Sequence, residues 1–152
     1  KYDLNEILKT KNYCKKKGFN LLLANNIRLA SKLNLSGVYI PSFDKKINYK
    51  NISTAKNFKI IGSAHNLREV KIKESQNCSE IFISPLFKTK KNNSFLDIVK
   101  FNLIAMETKK KIVALGGINF KNLNRINMTK SLGIASISWI KKNGLNKNLG
   151  RF

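Results

Sequence analysis

Two apolar runs late in the chain end in residues suited to holding a phosphate. Leu115-Gly116-Gly117-Ile118 places a glycine pair at the end of one run, and Gly133-Ile134-Ala135-Ser136-Ile137-Ser138 closes the next with a hydroxyl. Glycine carries no side chain, so backbone N–H groups there can approach phosphate oxygens, and a serine hydroxyl adds a further donor. The same Gly-Gly pair also suits a tight strand-to-helix turn, so the local pattern leaves both readings open. Other chemistries are excluded by what the sequence lacks. Cys14 and Cys78 stand 64 positions apart with no CxxC, and His65 is the sole histidine. Neither a zinc site nor a disulfide framework follows from that inventory, and two buried, reduced thiols are expected. His65 is expected to cap a helix or serve as a structural hydrogen-bonder rather than as an acid or base.

Charge points less clearly to function. The 152 residues carry 30 Lys and Arg against 8 Asp and Glu, a formal charge of +22. Clustered cations bind phosphate backbones through counterion release, and charge alone would make this a basic nucleic-acid-binding protein. The cations, however, are 26 Lys to 4 Arg, alongside 21 Asn and 18 Ile, which is what AT-rich codons supply. They are scattered in small groups such as 15–17, 45–46, 88–91 and 109–111, without stacking aromatics between them. Specific nucleic-acid binding is therefore not expected, while the overall field would still raise the local concentration of an anionic small substrate. No run approaches the roughly 20 apolar residues of a membrane helix, and the N-terminus lacks a signal-peptide pattern, so a cytoplasmic location without membrane contact is expected.

The elements that must position these residues follow from periodicity. Six short apolar runs, at 21–24, 37–40, 59–62, 81–84, 112–115 and 133–138, are rich in Ile, Val and Leu without strict alternation. Such runs suit parallel strands covered on both faces. Helical patterns lie between them. A leading helix over 4–17 carries Leu4, Ile7 and Leu8 on one face, with Asp3 and Glu6 spaced as a capping box. Helices are predicted at 27–35 with Ile27, Ala30, Ser31 and Leu33 inward, at 67–75 behind an Asn66 cap, and at 95–106. Asn119 is predicted to cap a short helix containing Leu123 and Ile126, and the polar tail from about 141 is expected to be poorly ordered. Alternating β and α elements give a doubly wound sheet or a (β/α)₈ barrel. The absence of glycine between Leu21 and Asn26 speaks against a dinucleotide-binding first turn, and the late glycine and hydroxyl sites match the phosphate position of barrels. The expectation is an α/β chain of the (β/α)₈ TIM-barrel class, present as about six βα units after a leading helix in one partial domain.

Several segments in order resemble the thiamine phosphate synthase family, whose members are (β/α)₈ barrels. Gly37-Val38-Tyr39-Ile40 leading to Asp44 looks like the family's fourth strand and its magnesium-binding acid. Ser63-Ala64-His65-Asn66 is similar to the serine-x-histidine turn after the fifth strand, and Ser84-Pro85-Leu86-Phe87-Lys88-Thr89 resembles the G-P-x-F-x-T signature after the sixth. Val113-Ala114-Leu115-Gly116-Gly117-Ile118 and Ile137-Ser138 then resemble the last two strand ends. The resemblance runs from about Leu21 to Ile140. It implies transfer of an aminopyrimidine group from its pyrophosphate ester to a thiazole phosphate, with release of pyrophosphate. By that resemblance Asp44 holds Mg²⁺, Ser63 lines the reacting centre, and Thr89 with Lys90 or Lys91 contacts pyrophosphate. Gly116, Gly117 and Ser138 hold the thiazole phosphate. The implied partners are phosphorylated small-molecule substrates.

Departures from the family pattern shape the rival readings. Where the family has an Asn-Asp pair after its third strand, this chain reads Ala24-Asn25, so one magnesium carboxylate is replaced by a neutral oxygen. Pro85 sides with the synthase branch rather than with the tautomerase branch of the superfamily, which carries histidine there. Nothing resembling the family's glutamine-arginine-lysine clamp precedes Lys17, and the 152 residues are expected to be the C-terminal three-quarters of a longer enzyme. Unpaired strand edges in such a chain would favour association into a homo-oligomer. Asn25 and the missing clamp motivate a second reading, a catalytically reduced family member that binds phosphorylated ligands.

Overall fold

The computed structural model describes residues 2–47, 55–90, 93–137 and Trp139. Six parallel strands form one sheet: β1 (Leu22–Ala24), β2 (Gly37–Ile40), β3 (Lys59–Ala64), β4 (Glu80–Ile83), β5 (Lys111–Leu115) and β6 (Gly133–Ala135). Their spatial order is their order in the chain, β1 to β6. A doubly wound sheet reverses direction part-way, whereas right-handed crossovers in unbroken order keep every helix on one face, which is barrel winding. Among the described residues four α-helices cover that face, α1 (Leu4–Lys17), α2 (Ile27–Lys32), α3 (Leu67–Ser75) and α4 (Asp97–Met106), followed by a 3₁₀ helix over Phe120–Met128.

The caps explain where the helices begin and stop. The Asp3 carboxylate accepts the Asn5 and Glu6 amides at the start of α1, supplying its half of the expected capping box. At its end Gly18 turns left-handed, and its amide and that of Phe19 bond back to the Lys15 and Cys14 carbonyls. Asn66 caps α3 by accepting the Glu69 amide, and Asn119 and Asn122 form a reciprocal capping box on the 3₁₀ helix. The segment predicted to be helical from 95 becomes α4 only at Asp97, whose φ of 53° breaks helical geometry upstream. The amides of Leu96 and Asp97 bond instead to the Pro85 and Leu86 carbonyls. The 133–138 strand likewise shortens to Gly133–Ala135, since its partner β5 ends where Gly116 turns away at φ 93°.

The core lies between sheet and helices. Leu23, Val38, Ile40, Ile81, Ile83, Ile112 and Ala114 project to the helix side and are buried there against Ile27, Ala30, Val70, Phe101 and Ala105. Burying a large aliphatic side chain contributes on the order of 2 kcal/mol, which makes this layer the main source of stability. On the opposite face Tyr39, Phe82, Val113 and Leu115 are only half-buried. Two expectations fail here. In α1 only Ile7 packs on the core, and Leu4 and Leu8 stay exposed, because β1 at the sheet edge offers that helix a narrow surface. Both cysteines are free, yet only Cys78 is buried, and Cys14 in α1 is half-buried for the same reason. No helix among the described residues is long and apolar enough to cross a membrane. The tail from about 141 lies outside the described residues.

Candidate active site at the carboxyl rim of the sheet

Because all six strands run parallel, the residues that follow each strand collect at one edge. Asn25 leaves β1 in the left-handed region at φ 58°, which asparagine tolerates, and its amide donates to the Tyr39 carbonyl of β2 at 2.9 Å. Asp44 follows β2 in a turn closed by its amide on the Pro41 carbonyl at 3.1 Å. Asn25, Phe43, Asp44, Lys45 and Lys46 line one cleft of about 610 Å³. The half-buried Asp44 carboxylate accepts the Lys46 amide at 2.9 Å.

Ser63 lies in β3, 4% exposed, in register with Phe82 of β4. A methyl group on its neighbour Gly62 would meet Lys73 of α3, so Gly62 faces the helices and Ser63 faces the other way. Tyr39 and Phe82 meet edge-on over that face, ring centroids 6.3 Å apart. After β3, His65 donates its amide to Glu69, and its Nδ1 lies 3.0 Å from the same carboxylate, a structural role as expected. Burial would raise the Glu69 carboxyl, but the His65 amide and ring, with the Asn66 side chain, outweigh it and hold the group below its ordinary value.

The segment after β4 is fastened to the glycine pair. The Leu86 amide donates to the Leu115 carbonyl at 2.9 Å and the Phe87 amide to the Gly116 carbonyl at 3.1 Å. A Cβ on Gly117 would sit 2.3 Å from the Phe87 oxygen, and one on Gly116 would sit 2.9 Å from Pro85 Cα. The glycine pair is thus required for two loops to touch, and it sets the two segments side by side on the rim. The Gly117 carbonyl accepts the Asn119 and Asn122 side-chain amides, leading directly into the 3₁₀ helix. Arg125 of that helix stands 5.0 Å over the Phe87 ring and pairs with Asp97 at 2.9 Å, holding the same loop from outside. Half-buried Thr89 and exposed Lys90 continue this loop. Lys91 and Ser138 lie outside the described residues.

The structure therefore brings Asn25 and Asp44 into one cleft, places the 85–88 segment against Gly116 and Gly117, and sets Ser63 on the face of the sheet away from the helices. Sequence reasoning missed two residues beneath the cleft. Lys73 and Gln76 of the α3 region are fully buried, and both reach the loop that carries Asp44. No group of three or more His, Cys, Asp or Glu side chains able to hold a metal exists among the described residues. Magnesium asks less than that, since it commonly binds through one or two carboxylates together with substrate phosphates and water. Asp44 offers one such carboxylate, and Asn25 lines the same cleft.

A single-wound parallel sheet with its helices on one face defines a barrel-type α/β protein. The sequence matches the family described as Thiamine monophosphate synthase over residues 3–140, and the chain belongs to that family. It is 35% identical over 133 residues to a thiamine-phosphate synthase of Prochlorococcus marinus, covering 82% of this chain and 36% of that protein. A thiamine-phosphate synthase of Flavobacterium psychrophilum is 32% identical over 138 residues, covering 82% of this chain and 65% of that protein. The chain thus spans between about a third and two-thirds of the length of these relatives. Among solved structures, thiamine phosphate pyrophosphorylase from Pyrococcus furiosus superposes with a TM-score of 0.71 at 20% identity, covering 90% of this chain and 68% of that one. That likeness supports the barrel fold.

Proposed function

We propose that this chain carries the greater part of a thiamine phosphate synthase site, joining an aminopyrimidine to a thiazole phosphate with release of pyrophosphate. The observation that carries the reading is the cleft lined by both Asn25 and Asp44, on the rim where the 85–88 segment lies against Gly116 and Gly117. In this reaction the bond from the pyrimidine methylene to pyrophosphate breaks, and a bond to the thiazole nitrogen forms. The pyrimidine passes through a delocalised cation, so the protein's work is to hold opposite charges in place rather than to form covalent bonds. A magnesium ion held by Asp44, with Asn25 as a neutral neighbour, would supply charge neutralisation for the departing pyrophosphate. Thr89 and Lys90, or Lys91, donate to that pyrophosphate. Gly116, Gly117 and Ser138 receive the thiazole phosphate through backbone N–H and hydroxyl groups. Ser63 lines the reacting centre beside Phe82, on the face away from the helices.

A cytoplasmic setting, phosphorylated small-molecule substrates, self-association and a single partial-barrel domain belong to the same proposal. Asn25 favours one second reading, a ligand-binding member with reduced turnover, since it replaces a charge by a neutral amide in the metal cleft. The test is pyrophosphate release by the chain given both substrates and Mg²⁺, with Asp44→Ala alongside. We predict a loss of about 100-fold or more in turnover for Asp44→Ala, with the urea midpoint of the folded chain nearly kept. Unchanged turnover would remove Asp44 from the mechanism. Binding of both substrates without pyrophosphate release from the wild-type chain would favour the second reading.

A further inference from the structure

The turn that bears Asp44 has neither helix nor strand to hold it, yet it is anchored from below. Residues 41–46 lie against the C-terminal end of α3, where the fully buried Lys73 of its last turn and Gln76 at its C-cap meet them. The Lys73 ammonium has three N–H donors, and the structure gives it three acceptors: the Pro41 carbonyl at 2.7 Å, the Asp44 carbonyl at 2.8 Å and Gln76 Oε1 at 2.9 Å. Gln76 Nε2 has two hydrogens and two acceptors, the Asp44 and Lys46 carbonyls, each at 2.8 Å. Every donor of the pair is used, and three carbonyls of one short loop are held. Lys46 in turn donates its amide to the Asp44 carboxylate. Lys46 thus links the two sides, its carbonyl held by Gln76 and its amide donated to the Asp44 carboxylate. Room for Lys73 is made on β3, where a Cβ at Gly62 would fall 2.7 Å from Lys73 Cδ.

Burying an ammonium is costly, and an apolar side chain of similar volume would fill the same space at less cost. Lys73 bears that cost where directed hydrogen bonds fix a loop, and burial pushes its ammonium below the ordinary lysine value, with Cys78, Asp44 and Glu69 opposing the shift. We propose that Lys73 and Gln76 are positioning residues, a buried latch that fixes the backbone of the 41–46 turn so that the Asp44 carboxylate is held toward the cleft it shares with Asn25. The proposal rests on the reading of Asp44 as the metal ligand. Neither residue touches the cleft, so both act through the turn.

The test uses Lys73→Met, which keeps the volume and removes all three donors, together with Gln76→Met and Asp44→Asn. Two readouts are taken on each folded protein: Mn²⁺ affinity by electron paramagnetic resonance in the presence of inorganic pyrophosphate, and hydrogen exchange of the Asp44 and Lys46 amides. Lys73→Met is expected to weaken Mn²⁺ binding about tenfold, the size usual for partners that orient a metal ligand, and to speed exchange of both amides. Gln76→Met is expected to do the same to a smaller degree, and it carries the test alone if Lys73→Met does not fold. A fall in the unfolding midpoint with unchanged Mn²⁺ affinity and unchanged exchange would mean a structural role only and would overturn the latch. Asp44→Asn separates the two readings. If it abolishes Mn²⁺ binding while Lys73→Met leaves affinity and exchange untouched, the latch fails and the metal reading stands. If Asp44→Asn binds Mn²⁺ like the wild type, the metal reading fails, and the latch then stands or falls on the exchange of the two amides.

Discussion

Replacing Gly117 by alanine would put a methyl group 2.3 Å from the Phe87 oxygen, 2.5 Å from its carbonyl carbon and 2.7 Å from the Lys88 oxygen. All three are backbone atoms, so no side chain can swing aside. Gly117 also has a φ of 71°, a conformation that costs an L-residue about 1 kcal/mol. Gly18 provides an internal control, because its φ is 70° but a Cβ there meets nothing within 4 Å. Gly18→Ala should therefore cost about 1 kcal/mol, the backbone penalty alone. Gly117→Ala adds overpacking of about 1 to 3 kcal/mol, for a total near 2 to 4. Urea titration of the two variants, compared at equal slope, reads the difference directly. Because Phe87 and Lys88 lead to Thr89 and Lys90, Gly117→Ala should also weaken binding of inorganic pyrophosphate, while Gly18, before β1 at the opposite edge, should leave it alone. Equal stability losses at the two sites would refute the claim that close approach of the 85–88 loop, rather than φ, fixes glycine at 117.

Two further predictions concern the layer beneath the rim. Phe101 of α4 is fully buried, and Phe101→Ala should cost about 3 to 5 kcal/mol in a urea titration, a loss under 1 kcal/mol showing that α4 does not close the core. Burial pushes the Cys78 thiol up to about 11 from its ordinary 9.0, against the opposing charges of Lys73 and Lys110. The folded state therefore keeps this proton where the unfolded chain loses it, and its contribution, on the order of 2 kcal/mol, is present below pH 9 and lost between pH 9 and 11. The neighbouring Lys73 is displaced downward and changes stability in the opposite sense as pH rises, so the comparison must be made with Cys78→Ala. Subtracting that variant's pH profile should isolate the fall; parallel profiles would show that the thiol does not titrate with folding.

The elements read from sequence succeeded where their causes are local. The bounds Leu4–Lys17 and Leu67–Ser75 were legible because Asp3 and Asn66 act on amides a few residues away. The six apolar runs marked six strands because burial on the helix side demands Ile, Val and Leu whatever lies beyond. Strand lengths were not legible in the same way. β3 extends to Ala64 because β4 pairs with it that far, beyond Gly62 where β2 ends, and β6 stops at Ala135 because β5 has already turned at Gly116. The rim residues Asn25, Asp44 and Gly117 could be named from their motifs, but the cleft shared by Asn25 and Asp44, and the placing of all three on one edge of the sheet, depended on unbroken strand order, which no single segment contains.

Lys73 marks the boundary most clearly. By type, a lysine in a helix reads as solvent-exposed, although its spacing from Val70 places it on the buried stripe of α3. Its burial is decided by a turn about 30 residues earlier in the chain, whose carbonyls arrive over its ammonium only once β2 and β3 pair. Sequence alone determined the periodicities, caps and chemical types, since these depend on neighbours along the chain. Tertiary structure decided which polar groups were enclosed, because a buried donor is satisfied by carbonyls whose positions depend on strands paired across the sheet.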